Sequence, residues 1–199
     1  MDSTAGLFEI EYDDQKKKMV IINNWIIMLY NRGWLNGNLN DIVKSAVKLD
    51  NDTCTIKGIN ITYSLKFIMR KISTIRKMED IDEFLEQNQN NYKFFIVSQM
   101  VNKAQKQLLE YEKVEVFTDD ELLVNTIDNI LVPKHILLTD EETEQYLTEY
   151  HIRRLELPRI LTSDPIAKYY NVKPGQIVKI IRPSVTSGEE IIFRVCVPG

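Results

Sequence analysis

The sequence predicts a mixed α+β and α/β chain in two domains: residues 1–131 with helices around a largely parallel sheet, and residues 132–199 as a small α+β domain with two helices and a β-hairpin. Three observations carry this reading. Between Ile61 and Phe117, β-branched or aromatic runs alternate with stretches of helical period, the order strand, helix, strand, helix, strand that gives right-handed crossovers and parallel pairing. After Pro133 the pattern changes to helix-capping signals followed by two β-branched runs. The 199 residues are 44% hydrophobic with only 7 Gly and 6 Pro, enough apolar material for a core and unlike collagen or a disordered chain.

Lys16 to Arg32 carries Met19, Ile22, Trp25 or Ile26, and Leu29 at helical spacing and stops at Gly33, a C-cap residue. In Ile61 to Met69, Ile61, Tyr63, Leu65 and Phe67 alternate with Thr62, Ser64 and Lys66, which predicts a strand with one wetter face. Ile72, Ile75 and Met78 mark a helix to about Asn88, and Lys93 to Ser98 is a near-continuous apolar strand. Val97, Val101, Ala104 and Leu108 give the next helix, Val114 to Phe117 a third strand, and Asp119-Asp120-Glu121 a turn and helix start. In the second domain Thr139 with Glu142 forms a capping box for a helix to His151 with Tyr146, Leu147 and Tyr150 inward. Asp164-Pro165 reads as N-cap and first helical residue, and Pro174-Gly175 as a type II turn. Gln176 to Arg182 and Glu190 to Val197 then make the hairpin.

Net charge is −4, against tight nucleic-acid binding over the whole surface, but charge is locally segregated. Lys57, Lys66, Arg70, Lys71, Arg76 and Lys77 precede the acidic run Glu79 to Glu86 with no acid among them. The apolar run Met19 to Tyr30 holds Asn23 and Asn24 and falls well short of the ~20 residues of a membrane span. The acids before it are the wrong charge for a leader, so none is expected. Cys54 and Cys196 are too few for a disulfide framework and point to a reducing compartment. Neither they nor His135 and His151 have metal-ligand spacing, and phosphate-binding, dinucleotide and nucleophile-elbow motifs are absent from the sequence, so no catalytic residue, cofactor or metal is expected. The acid-x-Lys triplet Asp14-Gln15-Lys16 lies at the start of the first helix rather than on a sheet strand, against a metal-dependent nuclease.

Two segments, VPKHILLT (Val132 to Thr139) and LPRILTSDPIAKYYNVKPGQIVKIIRPSVTSG (Leu157 to Gly188), resemble the assembly domain of the shared fifth-largest subunit of nuclear RNA polymerases, a family with a shorter archaeal relative. Glu121 to Asn125 resembles the family's approach to the first block, and the α/β portion resembles the jaw domain of the long, eukaryotic-type form, which the archaeal relative lacks. This implies a non-catalytic polymerase subunit whose tail docks on the largest subunit and other subunits, while its jaw lies beside downstream double-stranded DNA. The resemblance carries the assembly role onto Pro158, Arg159, Asp164, Pro165, Tyr169, Lys179, Arg182, Ser184, Thr186, Gly188 and Arg194. The chain departs from the family pattern at Lys168, Asn171, Val185 and Glu189-Glu190, as a virus-encoded or fast-evolving copy with its own largest subunit would. Location follows origin: nuclear for a cellular copy, virion or host cytoplasm for a viral one.

In a parallel sheet, strand carboxyl ends and the following helix N-termini share one edge, where free N–H groups and cations favour phosphate. That edge should hold Arg70 and Lys71 after the first strand and Gln99, Asn102 and Lys103 after the second, giving weak, sequence-independent DNA contact. The alternatives are a transcription adaptor that binds polymerase without being a core subunit and, third, a nuclease.

Overall fold

Helix α1 (Asp14–Asn31) buries Ile21, Ile22, Trp25, Ile26, Met28 and Leu29. Met19, expected inward, is exposed and lies ahead of the point where burial begins. The helix ends in a Schellman motif: Gly33 takes φ +71°, its N–H bonds the Tyr30 carbonyl, and the Trp34 N–H reaches the Leu29 carbonyl. The computed structural model describes residues 13–46, 52–72, 75, 78–184 and 188–199. Val185, Thr186, Arg76 and Lys77 lie outside the described residues.

Next come α2 (Leu39–Ala46), β1 (Thr53–Lys57), β2 (Thr62–Ile72), α3 (Glu79–Gln87), β3 (Tyr92–Met100), α4 (Asn102–Leu109), β4 (Val114–Thr118) and α5 (Asp119–Leu123). The first sheet has the order β1-β2-β3-β4; β2, β3 and β4 are parallel, and β1, which the sequence pattern did not announce, adds antiparallel to β2. The run Phe94-Phe95-Ile96-Val97 is apolar without alternation because both faces are covered. Phe94 packs against Trp25 at 5.5 Å, and Phe95 against Phe84 of α3 at 5.3 Å.

Coverage of both faces also overturns the expected wet face of β2. Ser64 is wholly buried; its hydroxyl donates to Asn88 Oδ1 at 2.8 Å and accepts from Asn91 Nδ2 at 2.9 Å. Lys66 lays its ammonium 5.5 Å from the Phe84 ring centroid. Ile72 and Val97 lie in β2 and β3 rather than in helices, so the apolar stripes that join them to α3 and α4 cross element boundaries. These residues share the core between the sheet, α3 and α4.

The chain then runs through a 3₁₀ turn (Thr126–Asp128), β5 (Lys134–Leu137), α6 (Asp140–Glu149), a 3₁₀ turn (Arg154–Glu156), β6 (Arg159–Leu161), α7 (Pro165–Tyr169), β7 (Ile177–Ser184) and β8 (Gly188–Val197). These strands form a second sheet, β5-β7-β8-β6, in which only β6 is parallel to its neighbour. The expected hairpin is therefore the centre of a four-stranded sheet. Ile160, Val178, Ile180 and Cys196 pack with Ala167 and Val172 on one face; Ile177, Val195 and Phe193 pack with Leu157, Tyr146 and Leu147 on the other. Tyr150, expected inward on α6, is exposed, and Thr143 is buried instead.

The described chain separates into two compact units, Met1–Ile27 with Asn36–Leu123, and Met28–Leu35 with Val124–Gly199. The second unit thus includes the last turn of α1. There Arg32 donates from Nε to the Tyr169 carbonyl at 2.6 Å and from Nη2 to the Lys168 carbonyl at 3.0 Å, satisfying acceptors at the carboxyl end of α7.

Candidate assembly surface and nucleic-acid edge

Strand alternation distributes the expected assembly residues over both faces of the second sheet. Lys179 stands opposite Phe193 and shares that face with Arg159, the partner of Val195; Arg182 stands opposite Glu190 and shares the other face with Arg194. Arg182 and Glu190 form an exposed ion pair at 2.7 Å. Pro158 and Pro165 are exposed, Ser184 is half-buried, and Gly188 opens β8 with φ +76°. Thr186 lies outside the described residues.

Two members of the set serve the fold itself. Asp164 caps α7, Oδ1 accepting from the Ile166 N–H at 2.9 Å and the Ala167 N–H at 3.4 Å, with Pro165 as first helical residue. Tyr169 is buried, its hydroxyl accepting from Asn31 Nδ2 at 3.0 Å; burial pushes its pKa up to about 12, against the opposing pull of that hydrogen bond. Sequence reasoning missed several exposed apolar residues of this unit, among them Ile130, Leu131, Leu155 and Ile191. Ile130-Leu131 lies between Asn129 and Pro133, too short a run to register as an element.

In the first unit Lys71 and Gln99 are neighbours at the carboxyl ends of β2 and β3, inside the strands rather than after them. Asn102 and Lys103 open α4, and all four side chains are exposed. Asn102 and Lys103 line a surface cavity of 410 Å³ with Lys106, Gln107 and Glu110. Arg70 is ion-paired with Asp80 at 2.5 Å, with both side chains about half exposed. Among the described residues no group of three or more His, Cys, Asp or Glu side chains could hold a metal ion. Both thiols are buried, and burial pushes Cys54 up to about 11 and Cys196 upward.

Fold and surface describe a two-unit protein with cations and apolar side chains exposed on its surface. Residues 124–196 match the family model described as RNA polymerase Rpb5, C-terminal domain. The chain is 30% identical over 206 aligned positions to DNA-directed RNA polymerase subunit 5 of Acanthamoeba polyphaga mimivirus, covering 99% of this chain and 100% of that one. It is 43% identical over 132 residues to the DNA-directed RNA polymerases I, II, and III subunit rpabc1 of Dictyostelium discoideum, covering 63% of this chain and 66% of that one. A nematode relative, subunit RPABC1 of Caenorhabditis elegans, is 43% identical over 94 residues and is covered to 42% of its length. The chain belongs to the subunit 5 family of DNA-directed RNA polymerases, whose members are non-catalytic subunits.

Proposed function

We propose that the chain is built into a multi-subunit polymerase through residues 132–199, which dock on the largest subunit, while the first unit lies beside downstream duplex DNA. The carrying observation is similarity along the whole length to the mimivirus subunit, with the family match confined to the second unit. The exposed side chains of Arg159, which shares a sheet face with Lys179, and of Arg182 on the opposite face suit protein contact, where arginine anchors contribute much of the binding energy. Nuclear residence for a cellular source, or virion and host cytoplasm for a viral one, accompanies this role.

A tagged full-length chain should co-purify the large catalytic subunits in equal amounts and hold them through a high-salt wash; an adaptor would be lost. Arg182→Glu sets two carboxylates across the hairpin and should cut incorporation at least about tenfold with the circular-dichroism melt of the full chain little changed. Undiminished incorporation would move the assembly face elsewhere.

For the DNA edge, Lys71→Glu with Lys103→Glu should leave assembly intact and lower downstream-duplex affinity, reducing the salt slope by about two. An unchanged affinity and slope would remove both residues from the DNA surface.

A further inference from the structure

The register of the second sheet leaves part of β8 with an open edge. Strand β6 pairs only with Val195, Cys196 and Val197, because Pro158 stands at its start and the Arg154–Glu156 turn precedes it. Among the described residues, β8 ahead of Val195 is paired on the β7 side alone.

Hydrogen bonds fix which groups face outward. The Cys196 N–H bonds the Gln176 carbonyl and the Cys196 carbonyl accepts from Gly175, both on the β7 side. The Val195 N–H bonds the Pro158 carbonyl and the Val197 carbonyl accepts from the Thr162 N–H, both on the β6 side. The β7–β8 register runs without a shift from Val195 to Gly188, so alternation places the N–H and C=O groups of Phe193 and Ile191 on the open side.

Side chains at this edge suit an incoming strand. Ile191 is 50% exposed, whereas Phe193 on the same face is stacked against Tyr146 at 3.8 Å. Arg194, on the opposite face beside the start of β6, reaches the Arg159 carbonyl at 3.5 Å from Nη1, and its Nε is buried without an acceptor. The other rim strand, β5, is blunted by Pro133 before it and by Lys134 at its start, two devices that discourage edge pairing.

We propose that this open edge is completed by an extended segment of another polymerase chain, pairing with Ile191 and Phe193 in line with β6. That segment sets an apolar residue over Ile191 and offers a carboxylate to Arg194. The inference rests on the proposed role as a polymerase subunit and deepens it by naming the element that makes the joint.

Single-amide hydrogen exchange on the full chain, free and within the purified polymerase, tests it. The amides of Ile191 and Phe193 should exchange fast in the free chain and at least about tenfold more slowly in the complex, while those of Glu190 and Ile192, facing β7, stay slow in both. Equal exchange of Ile191 and Phe193 in both states overturns the proposal. Ile191→Pro removes only an outward N–H and should reduce incorporation at least about tenfold while the free chain still melts cooperatively; full incorporation also overturns it. Should that variant fail to fold, the exchange measurement on the unaltered chain decides. A wild-type chain that captures no polymerase subunits defeats the functional reading, whereas one that is incorporated with fast-exchanging Ile191 and Phe193 defeats the edge alone.

Discussion

Lys17 shows how one side chain's neighbourhood sets the sign of a mutation. Its ammonium lies 2.7 Å from Asp119 Oδ2; the carboxylate side chain is only 6% exposed, while Lys17 keeps access to water. Removing the lysine strands a buried charge; removing the carboxylate leaves a cation that can rehydrate. Lys17→Met should therefore cost about 2 kcal/mol in chemical denaturation and Asp119→Asn clearly less. The hydrogen bond to Asp119 raises the Lys17 pKa, against the smaller opposing effect of burial. The pair's contribution is thus fully present below the ordinary lysine pKa of about 10.5 and is lost as pH rises through the higher folded value; Lys17→Met should flatten that alkaline loss in urea melts. At this scale the sequence was least legible. Nothing in it separates Ser64, which ends in a buried polar network, from the half-exposed Thr62, because the covering residues Asn88 and Asn91 come from a distant turn.

Helix ends were more legible, since caps are local. The Thr139 to Glu142 box and the Asp164-Pro165 start stand where spacing put them. His151 has a meaning beyond its charge: it is the left-handed residue of a Schellman motif, with φ +53°, its own N–H bonded to the Thr148 carbonyl and the Ile152 N–H to the Leu147 carbonyl. Asn171 does the same after α7, with φ +52°. Glycine adopts that conformation without a Cβ penalty, so His151→Gly should stabilise the chain by about 0.5–1 kcal/mol, read as a raised urea midpoint at unchanged slope. Strand β6 escaped notice because three residues carry no readable period, and the boundaries at Ile72 and Val97 failed because an apolar residue of a doubly covered strand can also fit a helical stripe.

At the scale of the molecule, the mixed architecture, the parallel strands of the first sheet and the hairpin at the centre of the second were readable from strand order and capping signals, and the family from two motif blocks. Grouping the candidate residues was not, since faces follow from register: Lys179 and Arg182 are three residues apart and therefore oppose one another across the sheet. The membership of Met28–Leu35 in the second unit was equally hidden, because it depends on a guanidinium finding carbonyls 136 and 137 residues away. A fragment of residues 124–199 should melt several degrees below the same unit in the intact chain, and Arg32→Ala in the intact chain should reproduce part of that loss. Equal melting would make the α1 end dispensable.

The bonds from Arg32 to α7 also constrain how such a gene can be rearranged. A crossover that imported a foreign tail from residue 124 onward would bring α7 without the arginine that meets its terminal carbonyls. Chimeras of this family should accordingly tolerate exchange of the tail best when the end of the first helix travels with it.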